Sequence, residues 1–187
     1  MEFVKREIEG VFVIEPKVFG DERGHFFESF SQREFDENVA EIRFVQDNES
    51  KSCYGVLRGL HFQAPPSAQS KLVRVTCGKV LDVAVDIRKG SPTYGKHVAV
   101  ELSAENHRQL FIPRGFAHGF VALSEEVIFQ YKCDNLYDKS SEGSLLWSDA
   151  DLAIDWVVSP DELIISDKDA VAQSFKDFES PFTYGEY

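Results

Sequence analysis

Short runs of β-branched and aromatic residues recur along the chain, each closed by turn-forming residues. They begin with "VFVIEPKVF" (11–19), "HFFESF" (25–30), "RFVQDNES" (43–50), "YGVLRGLHF" (54–62) and "KLVRVTCG" (71–78). "KVLDVAVDI" (79–87), "HVAVEL" (97–102), "QLFIP" (109–113), "HGFVAL" (118–123) and "VIFQYKC" (127–133) continue the series. "GDERG", "CGK", "KGSPTYG", "SAEN" and "LSEE" supply the punctuation. The pattern predicts strands. It is clearest from Lys79, where Leu81, Val83, Val85 and Ile87 oppose Val80, Asp82, Ala84 and Asp86. Two carboxylates on one strand face predict a solvent face or a site lining; inside a barrel, such an Asp orients a histidine. Helix signals are few. Ser31 and Glu34 form a capping-box pair, with Phe35 and Val39 as an apolar i, i+4 pair, and a second short helix is predicted from Ser166. About ten strands and one or two short helices predict an all-β fold, with the jelly roll as its leading form.

Composition narrows the setting. No linker, repeat or low-complexity tract divides the 187 residues, so the expectation is one domain over 1–187, with a tail from about 174. A formal net charge of −12 disfavours nucleic acid and anionic membrane surfaces as partners. It leaves room for a small anionic ligand, because charges beyond roughly 10 Å are largely screened. Cys53, Cys77 and Cys133 are odd in number and without a CxxC pair, which predicts neither a disulfide framework nor a zinc site and suits a reducing cytosol. No apolar run reaches signal-peptide or membrane-span length, so a cytoplasmic protein is expected.

Two segments carry candidate chemistry. "LRGLHFQ" (57–63) sets His61 and Arg58 in an apolar strand. A lone imidazole there is ordinarily a core group satisfied by a carbonyl. "IPRGFAHGF" (112–120) changes this, because Pro113, Gly115 and His118 form the P-x-G-x-x-H pattern of the cupin-type double-stranded β-helix. Metal-binding cupins complete their ligand set with an H-x-H pair and a later Glu. Here the corresponding segment reads His61-Phe62-Gln63, with an amide where the second imidazole would stand. No metal and no cofactor are therefore expected. A metal-free imidazole, with a pKa near 6.5, is suited to act as a base. Carbon-acid chemistry would also need a cation for the enolate and an acid to return the proton; Lys71 and Tyr131 are candidates. Arg23 and Arg58 suit phosphate oxygens through bidentate hydrogen bonds.

Together, "KVFGDERGHFFESF", "FVQDN", "VLRGLHFQ", "KLVRV", "DVAVDIR", "LSAEN", "IPRGFAHGFV", "YKC", "SEGSLLWSD" and "SDKD" resemble the dTDP-4-dehydrorhamnose 3,5-epimerase family, in order over roughly residues 3–170. The resemblance implies a metal-free, cupin-type homodimer acting on dTDP-4-dehydro-6-deoxy-D-glucose in dTDP-L-rhamnose synthesis. It implies His61 as proton acceptor, Tyr131 as proton donor, Lys71 beside the keto oxygen and Asp169 paired with the base. It also implies nucleotide-sugar contacts from Arg23, Glu28, Gln46, Asp47, Asn48, Arg58, His118, Glu142 and Lys168, and stacking of Tyr137 on thymine. Leu136, Gln173 and the long aromatic tail "SFKDFESPFTYGEY" depart from the family pattern.

These roles predict deprotonation by His61 next to the C4 ketone, an enolate held by Lys71, and reprotonation by Tyr131 from the opposite face. Epimerisation at C3 alone, a metal-dependent cupin enzyme and a non-catalytic sugar-nucleotide binder are the alternatives. One geometric conflict stands out. In a flat strand Arg58 and His61 face opposite ways. Either a bulge at Gly59 turns both to one cleft, or Arg58 serves a site across a dimer interface, the preferred reading because shared sites are common in such dimers; the sequence itself does not decide between them.

Overall fold

The computed structural model describes residues 1–186. In chain order the strands are β1 (Glu2–Lys5), β2 (Phe12–Glu15), β3 (Phe19–Asp21), β4 (Gly24–Phe26), β5 (Gln46–Ser52), β6 (Val56–Gln63) and β7 (Lys71–Cys77). They continue with β8 (Lys79–Asp86), β9 (His97–Ser103), β10 (Gln109–Ile112), β11 (Phe116–Ala122), β12 (Val127–Cys133), β13 (Glu142–Ser144) and β14 (Ile164–Ile165). Helices α1 (Gln32–Asn38) and α2 (Asp167–Ala170) start where predicted: the Ser31 hydroxyl accepts from Glu34 N–H and the Ser166 hydroxyl from Asp169 N–H. Glu34 does not reach back to complete a capping box; its carboxylate pairs with the N-terminal ammonium at 3.0 Å. The run 11–19 is two strands, because Pro16 falls between β2 and β3. Only His25 and Phe26 of the next run are strand, within β4, which pairs with β3 as an isolated hairpin.

Two sheets form the expected jelly roll. One runs β1-β2-β10-β7-β12-β5; the other runs β13-β6-β11-β8-β9, with β14 beside β6. Their facing sides pack Val73, Leu110 and Phe129 against Ala84, Val98 and Phe120. The outer side of the second sheet is also covered: Leu57, Leu60, Val83, Val85 and Val121 pack beneath Leu152, Trp156 and Phe182 from the C-terminal region. Both faces of β8 are thus buried, and Asp82 and Asp86 are fully buried rather than solvent-facing. Asp86 pairs with Arg88 at 2.8 Å and accepts from Ser91 and Thr93. Asp82 accepts from His118 Nε2 at 3.0 Å, the histidine-orienting role expected inside a barrel.

Candidate active site

Strand alternation and one irregularity build the site. In β12, Phe129 and Tyr131 face the opposing sheet; in β7, Lys71 shares that side with Val73 and Val75. From the other sheet comes β6. His61 lies opposite His118 and Arg58 opposite Phe120, so a three-residue step on β6 meets a two-residue step on β11. The extra residue is a bulge. It needs Gly59, which has φ +143°, and a Cβ there would lie 2.6 Å from the Gly119 Cα. After the bulge, Arg58 and His61 share a face while Leu57, Leu60 and Phe62 pack in the outer cluster. Arg58 therefore lines the cavity of its own chain. The cross-subunit position preferred by analogy with shared-site dimers is not needed, because the flat-strand assumption behind it fails.

Two cavities, of about 280 and 210 Å³, meet at His61, Lys71 and Tyr131. The first opens past Gln46, Asn48, Tyr137 and Glu142; the second runs past Arg58 and His118. His61 projects from one sheet and Tyr131 and Lys71 from the other, so groups of different chemistry border one space from two sides.

His61 Nε2 stands 2.6 Å from Asp169 Oδ1, and Asp169, on α2, is 3% exposed. An ionised carboxylate only accepts, so this contact sets the proton on Nε2 and leaves the Nδ1 lone pair free. The second carboxylate oxygen accepts from Gly59 N–H at 3.4 Å, tying α2 to the bulge. Burial lowers the His61 pKa below its usual range, against the opposing pull of Asp169. Burial likewise lowers Lys71, whose ammonium sits 5.9 Å from the Tyr131 ring centroid, and raises the Tyr131 phenol. Among the described residues, Lys71 has no ion-pair partner. Its charge is directed at the cavity rather than consumed.

At the mouth, Glu142 pairs with Lys168 at 2.6 Å, which holds its carboxyl below the usual range. The Tyr137 hydroxyl donates to Glu142 at 3.4 Å, and its ring is 56% exposed. Gln46 accepts from Tyr137 N–H and donates to Asn48. Gln63, in the position of a cupin's second imidazole, is fully engaged: it donates to Ser67 O and Leu136 O and accepts from Asp138 N–H. The His118 and His61 Nε2 atoms are each directed at a carboxylate.

Three predicted contacts lie elsewhere. Asp47 falls between Gln46 and Asn48 in β5, so its side chain takes the opposite face and pairs with Lys132 at 2.9 Å. Arg23 is bound to Asp21 in the exposed β3–β4 hairpin, and Glu28 follows that hairpin, also exposed. Gln69 lines the cavity without having been anticipated; its amide donates to Asn135 O at 2.7 Å, and it sits in no pattern that marks it.

The model of the family described as dTDP-4-dehydrorhamnose 3,5-epimerase matches residues 5–177. The chain belongs to the dTDP-4-dehydrorhamnose 3,5-epimerase family. A relative of that name from Shigella flexneri is 58% identical over 178 residues, covering 95% of this chain and 97% of its own. A Legionella pneumophila dTDP-6-deoxy-D-glucose-3,5-epimerase, solved with dTDP-4-keto-L-rhamnose, superposes with TM-score 0.93 at 47% identity, covering 97% of each chain. A 3'-monoepimerase from Streptomyces bikiniensis, solved with dTDP-quinovose, is more distant within the epimerases: 32% identity, TM-score 0.85, covering 91% of this chain and 86% of its own.

Proposed function

We propose that this epimerase inverts C3 and C5 of dTDP-4-dehydro-6-deoxy-D-glucose, giving dTDP-4-dehydro-L-rhamnose for dTDP-L-rhamnose synthesis. The observation that carries the reading is the 2.6 Å His61–Asp169 contact bordering the same space as Lys71 and Tyr131. His61 Nδ1 takes the proton from C3, and the C–H electron pair moves into an enolate whose oxygen is O4. Asp169 stabilises the imidazolium formed. Lys71 stabilises the oxyanion in a site where burial strengthens the interaction. Tyr131, from the opposing sheet, gives its phenolic proton to the other face of C3, and the enolate collapses to the ketone with inverted configuration. Exchange with water restores the phenol and the neutral imidazole. The same cycle at C5 completes the reaction. Arg58 and His118 grip polar substrate groups along the second cavity, while Gln46, Asn48, Tyr137, Glu142 and Lys168 hold the nucleotide end. Orientation of this kind is a large part of the rate enhancement.

The reading also includes assembly. Arg23 and Glu28 are nucleotide-sugar contacts only if they meet a cavity, and their hairpin projects Phe19 and Phe26 with 55% and 71% exposure. Large exposed aromatics on such an arm suit burial against a second copy. We read the protein as a homodimer of one-domain subunits, in which each hairpin completes the neighbour's site. No helix among the described residues is long and apolar enough to cross a membrane, and the unpaired cysteines suit the cytoplasm.

Turnover in deuterated water, followed by proton NMR, tests the chemistry. Wild type should exchange hydrogen at both carbons and yield a product inverted at both; inversion at C3 alone would make it a 3-epimerase. His61→Ala should abolish exchange, and a wild-type exchange rate would remove His61 as the base. Tyr131→Phe should lose inversion more severely than exchange.

A further inference from the structure

The family match ends at residue 177, within a strap that runs from Gln173 to Tyr184 over the outer face of the second sheet. Its attachments are numerous. Gln173 bridges Leu145, and its carbonyl accepts from Leu146 N–H at 2.8 Å. Phe175 donates its N–H to Asp149 at 2.8 Å and lays its ring on Tyr94 at 5.1 Å, above Gly95. Ser180 donates to the Ile87 carbonyl, Thr183 bridges Lys89, and the Tyr184 hydroxyl meets Glu9.

Between these anchors the strap reaches β6. Phe178 and Phe182 meet the Phe62 ring edge-on, at centroid distances of 5.5 and 6.1 Å. Phe62 is the residue between His61 and Gln63, and by strand alternation its side chain leaves the sheet opposite to theirs. On its remaining side lies Gly143 of β13, where a Cβ would come 2.3 Å from the ring. The ring, partly buried, is thus flanked by β13 and the strap. Any rotation of β6 that moved His61 in the cavity would have to move Phe62 against Phe178, Phe182 and Gly143. Close-packed interiors transmit such displacement rather than absorb it.

We propose that Phe178 and Phe182 are positioning residues: through Phe62 they fix the orientation of His61 toward its substrate from the far side of the sheet. The inference rests on His61 being the base. It assigns a role in the reaction to two residues beyond the matched span 5–177 and far from the cavity mouth. Misplacement of a reacting group by about 1 Å costs on the order of 10²-fold in rate. Partial loosening by loss of one ring is therefore expected to lower kcat by roughly tenfold.

The experiment compares Phe178→Ala and Phe178→Leu with Phe175→Ala, which removes a strap ring resting on Tyr94 instead of Phe62. Each is assayed for kcat, KM, thermal midpoint and amide hydrogen exchange in the peptide 57–63, alongside His61→Ala. Phe178→Ala should lower kcat roughly tenfold with KM within about twofold, and speed exchange in that peptide; Phe178→Leu should recover most of both. Phe175→Ala should lower the midpoint comparably while leaving kcat near wild type. Unchanged exchange in 57–63, or equal kcat losses in the two alanine variants, would overturn the positioning role. Activity retained by His61→Ala would instead overturn the catalytic assignment, a result that the peptide exchange does not depend on.

Discussion

At the scale of single residues, the site separates ionisable groups by environment. His61 is buried enough to remain neutral below its ordinary pKa, Lys71 is partly buried with its charge toward the cavity, and Tyr131 is held as the phenol. The proposed mechanism needs His61 neutral with Lys71 and Tyr131 protonated. The acid limb of the kcat/KM profile should therefore fall below the usual imidazole value of about 6.5, and the alkaline limb should be set by Lys71 losing its proton below the usual lysine value of about 10.4. An acid limb above 6.5 would contradict the burial argument. The stability linkage runs the same way. With its folded pKa lowered, His61 contributes stability that is complete above the unfolded value and is lost as pH falls through the folded one. Asp169→Asn keeps the shape of its side chain but not the anion. It should cost about 10²–10⁴-fold in kcat, because the Nε2 proton and the imidazolium both lose their partner. A loss under fivefold in steady-state assay would mean the ring is oriented by other contacts.

At the scale of elements, the decisive feature is the β6 bulge against β11. Without it, Arg58 and His61 would lie on opposite faces of the sheet. Gly59 and Gly119 allow it by letting two backbones approach: a Cβ on Gly119 would lie 2.7 Å from the Arg58 carbonyl oxygen. Gly59→Ala combines an unfavourable φ with backbone contact and should destabilise by more than about 2 kcal/mol, measured by urea unfolding. It should also reduce kcat in the fraction that remains folded. A stable, fully active variant would show that strand register tolerates the displacement. The short helix α2 works with this bulge, since Asp169 bonds both to His61 and to the Gly59 amide. Its Ser166 cap was visible in the sequence; its destination was not.

At the scale of the molecule, one sheet supplies His61 and the other Lys71 and Tyr131, which suits the proposed inversion of a ring carbon lying between them. The β3–β4 hairpin stands apart from this arrangement, with Arg23 exposed and Phe26 carrying the largest aromatic surface on the arm. In the proposed dimer, Phe26→Asp should shift the protein toward monomer in sedimentation velocity and raise KM, because Arg23 and Glu28 would no longer reach a neighbouring cavity. A dimer of undiminished activity would assign the hairpin another role.

Period-2 alternation, the two serine caps and the His61-Phe62-Gln63 and P-x-G-x-x-H segments were legible in the chain itself, because each depends on contacts within a few residues. They determined the all-β class, the helix starts and the histidines to watch. Family resemblance supplied Asp169, which lies 108 positions from its partner and carries no local mark of that pairing. Tertiary structure alone decided that Arg58 joins His61 through a bulge, that Asp47 turns away from its neighbours, and that the tail braces Phe62. Each of these depends on which backbone lies alongside which, and that is set by packing between segments far apart in the chain.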